Sequence, residues 1–221
     1  MAKYIRVVEF YGLPGCGKTT LKDIMVSSSL INAGSIQDLL PFFKKEKILY
    51  KLTHLPLKQW CLLSLFLLSL KGRRKNGKKF YIDLYYKVFV YSYFVIKPPY
   101  DYIIVDHGLV QQLGSILHNM NYEISNKSLQ FFLRFVNSMK NTTLVYCRIS
   151  SRNSLNRIIG RNRSVGRIDA VINDRQKALF YLEKEYNLFE MFSELANNVY
   201  ELNMNKTPEE LAYEMYNLLR R

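Results

Sequence analysis

The residues Gly12-Leu13-Pro14-Gly15-Cys16-Gly17-Lys18-Thr19 satisfy the spacing G-x-x-x-x-G-K-[ST] in full. That combination suits the binding of a nucleoside triphosphate. Glycines let backbone N–H groups curl around phosphate oxygens with no Cβ in the way. A helix starting at Lys18 adds the positive end of its dipole. Lys18 can reach the β- and γ-phosphates, the Thr19 hydroxyl can ligate Mg²⁺, and Thr20 completes the binding loop. A glycine-rich turn with no ligand is the plain alternative, and the strand-loop-helix context argues against it.

Such a loop also needs an acidic group near the metal, at the end of a neighbouring strand. Asp106 suits this, because the apolar run Ile103-Ile104-Val105 delivers it to a strand's carboxyl end, where open parallel sheets bind ligands. It serves as metal ligand or catalytic group, or else caps a helix beginning near Gly108. Asp101 starts the same strand at the wrong edge and reads as solvated. A third constellation is RNSLNRIIGRNRSVGRID, which crowds Arg157, Arg161, Arg163 and Arg167 around Gly160 and Gly166. A mobile arginine-rich lid over about 157–169 would neutralise charge on a transferring phosphoryl group. A solvated basic surface is the alternative. Arg157 and Arg161, four apart, would share one helix face, with Arg163 and Arg167 on the loop itself.

Positioning these groups takes alternating strands and helices. Ile5 to Tyr11 is a β-branched and aromatic run ended by Gly12, and reads as a buried strand. Tyr102 to Val105 is a second, opened by the breaker Pro98-Pro99. NTTLVYCRI and NNVYELNMN are a third and fourth. The last helix has a full start signal in Thr207, Pro208 and Glu210. Strands separated by helices predict a parallel sheet covered on both faces.

Residues 36–97 break this rhythm and read as a mostly helical, acceptor-side insertion within a single domain spanning 1–221. The basic segment KGRRKNGKK divides the insertion and reads as a loop in water. Its aromatics, among them Trp60, Phe80, Tyr81, Tyr85, Tyr86, Phe89 and Tyr93, read as core. The apolar run in QWCLLSLFLLSLK is about half the roughly 20 residues that cross a bilayer, so a buried helix is expected.

Lysine and arginine number 32 against 18 acidic residues, a formal +14, which favours anionic partners: nucleotides, nucleic acid or an acidic membrane surface. Cys16, Cys61 and Cys147 are far apart and show no metal spacing. The opening MAKYIRVVEFYG lacks the pattern of a secretory signal. A reducing cytoplasm is the expected setting.

With these pieces in order, the chain resembles the thymidylate kinase-like branch of the P-loop nucleotide kinases over nearly its full length. The P-loop, the Asp106 strand, VYCRISSRNSLNRIIGRNRSVGRID and the TPEEL helix carry the likeness. Arg157, Arg161, Arg167 and Asp169 match that family's lid outline. The resemblance implies a three-layer P-loop NTPase fold with a five-stranded parallel sheet. It also implies Mg-ATP as donor, a nucleoside monophosphate as acceptor, and lid arginines that approach the transferring phosphate.

Three positions depart from the family pattern. Tyr11 precedes Gly12, Pro14 stands where the loop carboxylate belongs, and His107 replaces the arginine that follows the strand-end Asp. Thymidylate itself is therefore in question as the acceptor. Glu9 shares a strand face with Tyr11, and is either a ligand of metal water or acceptor or a paired structural carboxylate. His107 either binds an acceptor or packs. The leading expectation is a small-molecule kinase. A same-fold kinase for a nucleoside, sugar or amphiphilic acceptor is the alternative, and a nucleic-acid-binding ATPase or switch is a third reading from the charge. The partner expected is a small phosphate acceptor, with peripheral membrane contact and a homodimer left open.

Overall fold

The computed structural model describes residues 6–35, 38, 57–69, 100–114, 125–139, 141–161, 168 and 171–220. In chain order these contain β1 (Arg6–Tyr11), α1 (Lys18–Ser27), β2 (Ala33–Ser35), α2 (Leu57–Ser69), β3 (Tyr102–Val105) and α3 (Asn126–Asn137). Then come β4 (Thr142–Arg148), α4 (Ser151–Ile159), α5 (Arg175–Leu195), β5 (Val199–Asn203) and α6 (Pro208–Leu219).

The five strands form one sheet in the order β2-β3-β1-β4-β5, and every neighbouring pair is parallel. β1 is central. Val7, Val8, Phe10 and Tyr11 are fully buried, as the two-sided cover of a parallel sheet requires. α1 packs with α6, α2 with α3, and α3 and α4 with α5, giving three layers with the sheet in the middle. On one sheet face Tyr11 stacks on Tyr146 with ring centroids 5.2 Å apart, and Phe189 and Phe192 of α5 meet Tyr11 edge-on. Tyr11, at the centre of that aromatic block, immediately precedes the glycine loop.

Local signals set several helix starts. Thr207 accepts from the Glu210 N–H, and the Glu210 carboxylate accepts from the Thr207 N–H, so the expected capping box is complete. Ser150 caps α4 through the Asn153 N–H at 3.2 Å.

β2 is only Ala33-Gly34-Ser35, which carries no β-branched run, and pairing with β3 rather than propensity makes it a strand. α2 is not buried all round. Leu63 and Phe66 are buried, Phe66 lying against Phe132 of α3, while Leu65 and Leu68 are exposed. Among the described residues no helix is long and apolar enough to cross a membrane. The basic segment 71–79, the aromatics from Phe80 to Tyr93, and Arg163, Arg167 and Asp169 lie outside the described residues, as does the Trp60 side chain.

Candidate functional site

Parallel pairing puts the chemistry at one edge. Glu9 is level with Val105, so β1 and β3 run out together and release Gly12 and Asp106 on the same side of the sheet. Tyr11 is level with Tyr146, which brings Cys147 of β4 beside Gly12.

The loop is built from conformations that side chains resist. Gly12, Gly15 and Gly17 have φ of 145°, 85° and 108°. At Gly12 space is also lacking, because a Cβ would lie 2.5 Å from the Cys147 carbonyl oxygen. Gly17 is the N-cap of α1 and supplies no side-chain cap, and the first turn holds no acidic residue. The first-turn N–H groups of α1 thus meet no capping side chain, which is the arrangement an anion needs.

Lys18 is 6% exposed. Its ammonium donates to the carbonyls of Gly12 and Leu13, each at 2.8 Å, and to Cys16 Sγ at 3.4 Å. The charge is therefore held within the loop itself. Leu13 and Cys16 are buried, whereas Thr19 and Thr20 are exposed at the helix mouth. Burial would raise the Cys16 thiol, but the hydrogen bond with Cys147 and the Lys18 ammonium outweigh it and leave Cys16 below its usual value. Burial and the neighbouring Cys16 push Cys147 the other way.

Thr19 Oγ1 donates to Asp106 Oδ2 at 2.7 Å. The strand-end acid and the loop hydroxyl therefore meet, as the sequence spacing requires. Asp106 makes these contacts across the edge rather than capping the following segment. Burial works against its ionisation, yet the Thr19 hydroxyl, the nearby His107 and Lys22 hold it below its ordinary value. An ionised carboxylate and a hydroxyl at this separation fit Mg²⁺, which takes one or two carboxylates and completes its shell with phosphate and water. No group of three His, Cys, Asp or Glu that could cage a metal occurs among the described residues.

Glu9 is fully buried, and its Oε1 accepts from the backbone N–H of Val110 at 2.6 Å and of Gln111 at 3.3 Å. It holds the segment after β3 rather than opening to solvent. His107 is exposed beside Asp106. Pro14, partly buried, offers its carbonyl to the Ser154 hydroxyl at 2.5 Å, which fastens the loop to α4.

Of the four arginines assigned to the lid, the two that are described, Arg157 and Arg161, also converge on the loop, by different routes. Arg157 donates to the carbonyls of Cys16 at 2.9 Å and Met204 at 2.8 Å. Arg161 lies past the end of α4, so it does not share a helix face with Arg157. Its Nη2 lies 2.7 Å from where a Cβ on Gly15 would sit, which places the guanidinium over the loop.

Two residues escaped the sequence reading. Gln111 Oε1 accepts from the Gly12 N–H at 3.1 Å, and Gln111 Nε2 lies 3.4 Å from Glu185 Oε1. Lys22 Nζ lies 3.2 Å from Asp106 Oδ2. The Lys22 position was legible as one helical turn beyond Lys18, but its partner was not.

No protein-family model matches the chain, nor does any curated protein sequence. In fold it is similar to a solved deoxyadenosine kinase from M. mycoides with the products dCMP and a flexible dCDP bound. That structure is 15% identical, with a TM-score of 0.50 over 97% of this chain and 98% of that chain. The same kinase with dCTP bound is 14% identical, at the same TM-score and coverage. At these identities the likeness is one of fold.

Proposed function

We propose that the chain is an ATP-dependent phosphotransferase acting on a small nucleoside-like acceptor, with a nucleoside monophosphate as the favoured class. The observation that carries this reading is the meeting of Thr19 and Asp106 at 2.7 Å, beside an uncapped glycine loop that holds the Lys18 ammonium. A bound Mg²⁺ would supply charge neutralisation on the donor's terminal phosphates. Thr19 and Asp106 are the residues that would hold it.

Each residue then has a role. The amides of Gly12 to Thr20 and the Lys18 ammonium bind the donor phosphates. Arg157 braces the loop, while Arg161, with Arg163 and Arg167, approaches the transferring group. An acceptor oxygen forms a bond to the γ-phosphorus as its bond to the β–γ bridging oxygen breaks, and ADP leaves with that electron pair. A phosphate dianion as acceptor has no proton to lose. Most of the catalysis is positioning and electrostatics.

A neutral nucleoside is the second reading, supported by the deoxyadenosine kinases that share the fold. Its hydroxyl needs a proton acceptor, and a carboxylate held below its ordinary pKa, as Asp106 is, makes a weak base. Assaying ADP release with nucleosides and nucleoside monophosphates in parallel tests both readings. Stimulation by a monophosphate supports the first, and stimulation by nucleosides alone moves the assignment to the second.

A further inference from the structure

Gln111 and Glu185 are 7% and 2% exposed, and no step of the phosphotransfer above uses either. Such groups are costly inside a fold unless their hydrogen bonds are made. Here the bonds run in a chain to the phosphate loop. Gln111 Oε1 accepts from the Gly12 N–H at 3.1 Å, and Gln111 Nε2 donates to Glu185 Oε1 at 3.4 Å. The backbone N–H of Gln111 is itself held by Glu9 Oε1 at 3.3 Å. One residue thus joins β1, the segment after β3, the loop and α5.

Chemistry fixes the direction of that amide. A backbone N–H can only donate, so Gly12 must face the amide oxygen and the amide nitrogen must face the other way. Glu185 of α5 supplies the acceptor on that side. A Cβ at Gly114 would overlap Glu185 Oε1, so a side chain there would push the carboxylate from its place. Gly12 needs such a hold, because a residue without a side chain, at a φ of 145°, restricts its own backbone least. Gln111 holds its N–H, and the Lys18 ammonium holds its carbonyl at 2.8 Å. Both peptide groups of Gly12 are thereby fixed, and the loop leaves β1 in a set direction before any phosphate arrives. Fixing a loop in its binding shape raises affinity by removing the cost of ordering it.

We propose that Gln111 is a positioning residue that sets the phosphate loop for the donor, and that Glu185 fixes which end of its amide faces Gly12. This rests on the phosphotransferase reading above. A purely structural Gln111 would support the fold and leave the nucleotide affinity of the folded protein unchanged.

Isothermal titration of the full chain with Mg-ADP, well below the melting temperature of each variant, separates these roles without turnover. Wild-type protein should bind Mg-ADP. Gln111→Met nearly keeps the volume but loses both side-chain hydrogen bonds, and should raise the dissociation constant about tenfold. Gln111→Glu keeps an acceptor for Gly12 but sets a second carboxylate against Glu185, and should also weaken binding. Joining it to Glu185→Gln restores a donor on the α5 side, and should return the constant to within about threefold of wild type. A Gln111→Met variant that melts lower but binds with an unchanged constant overturns the positioning role. A double variant that binds no tighter than Gln111→Glu overturns the part given to Glu185. Should Gln111→Met fail to fold, Gln111→Glu and the double variant decide. No Mg-ADP binding by folded wild-type protein overturns the phosphotransferase reading itself, and this role with it.

Discussion

Gly12 carries two demands that no other residue type meets together, a φ of 145° and a Cβ position 2.5 Å from a backbone carbonyl. Gly12→Ala should lower stability by about 1–3 kcal/mol and weaken ATP binding; an unchanged melting temperature with normal binding would contradict the loop geometry. Lys18→Ala should abolish ATP turnover while far-UV circular dichroism stays native, because its ammonium lies in the loop and not in the core. Asp106 has a folded-state pKa below its ordinary value of about 3.9, so it stabilises the fold above that pH. The contribution is lost as pH falls through the depressed folded value. Asp106→Asn should therefore flatten the acid limb of stability below about pH 4, measured by urea unfolding at stepped pH. An identical acid limb in the variant would show that the Thr19 and Lys22 contacts are not made in solution.

At the scale of elements, the loop is braced from two sides. Arg157 ties it to α4 and to the end of β5 through two backbone carbonyls, and Gln111 ties it to the segment after β3. Arg157→Ala should cost about 1.5–3 kcal/mol of this bracing and raise the KM for ATP more than it lowers kcat. A fall in kcat alone would mean that Arg157 acts on the transferring phosphate instead. The strands β1, β3 and β4 were legible as apolar runs, and the loop as a motif, because both signals are local. β2 was not, since Ala33-Gly34-Ser35 becomes a strand only by pairing with β3. The setting of Glu9 was equally hidden: its partner Val110 is 101 residues away in sequence. The end of α4 escaped the helical spacing of Arg157 and Arg161, because the helix closes at Ile159 with Gly160 as its C-cap, between the two arginines.

For the molecule as a whole, the sheet order puts β1 between β3 and β4, so the loop, the strand-end acid and the arginine-bearing helix arise at one edge from three adjacent strands. That convergence was readable from the alternation of elements and from the placement of Asp106 after an apolar run. The formal charge of +14 is a property of the whole surface and did not choose among anionic partners. If small nucleotides are its business, polynucleotides added at physiological salt should leave ATP turnover unchanged. Stimulation by DNA or RNA, with binding that falls steeply as salt rises, would favour the nucleic-acid reading instead.

The most direct measurement is ADP release from Mg-ATP by the purified protein, alone and with each of a panel of nucleoside monophosphates and nucleosides, against Lys18→Ala. The account predicts release that depends on the acceptor, is strongest with one monophosphate, and is absent in the variant. Slow release indifferent to every acceptor, or release that persists in Lys18→Ala, would contradict it.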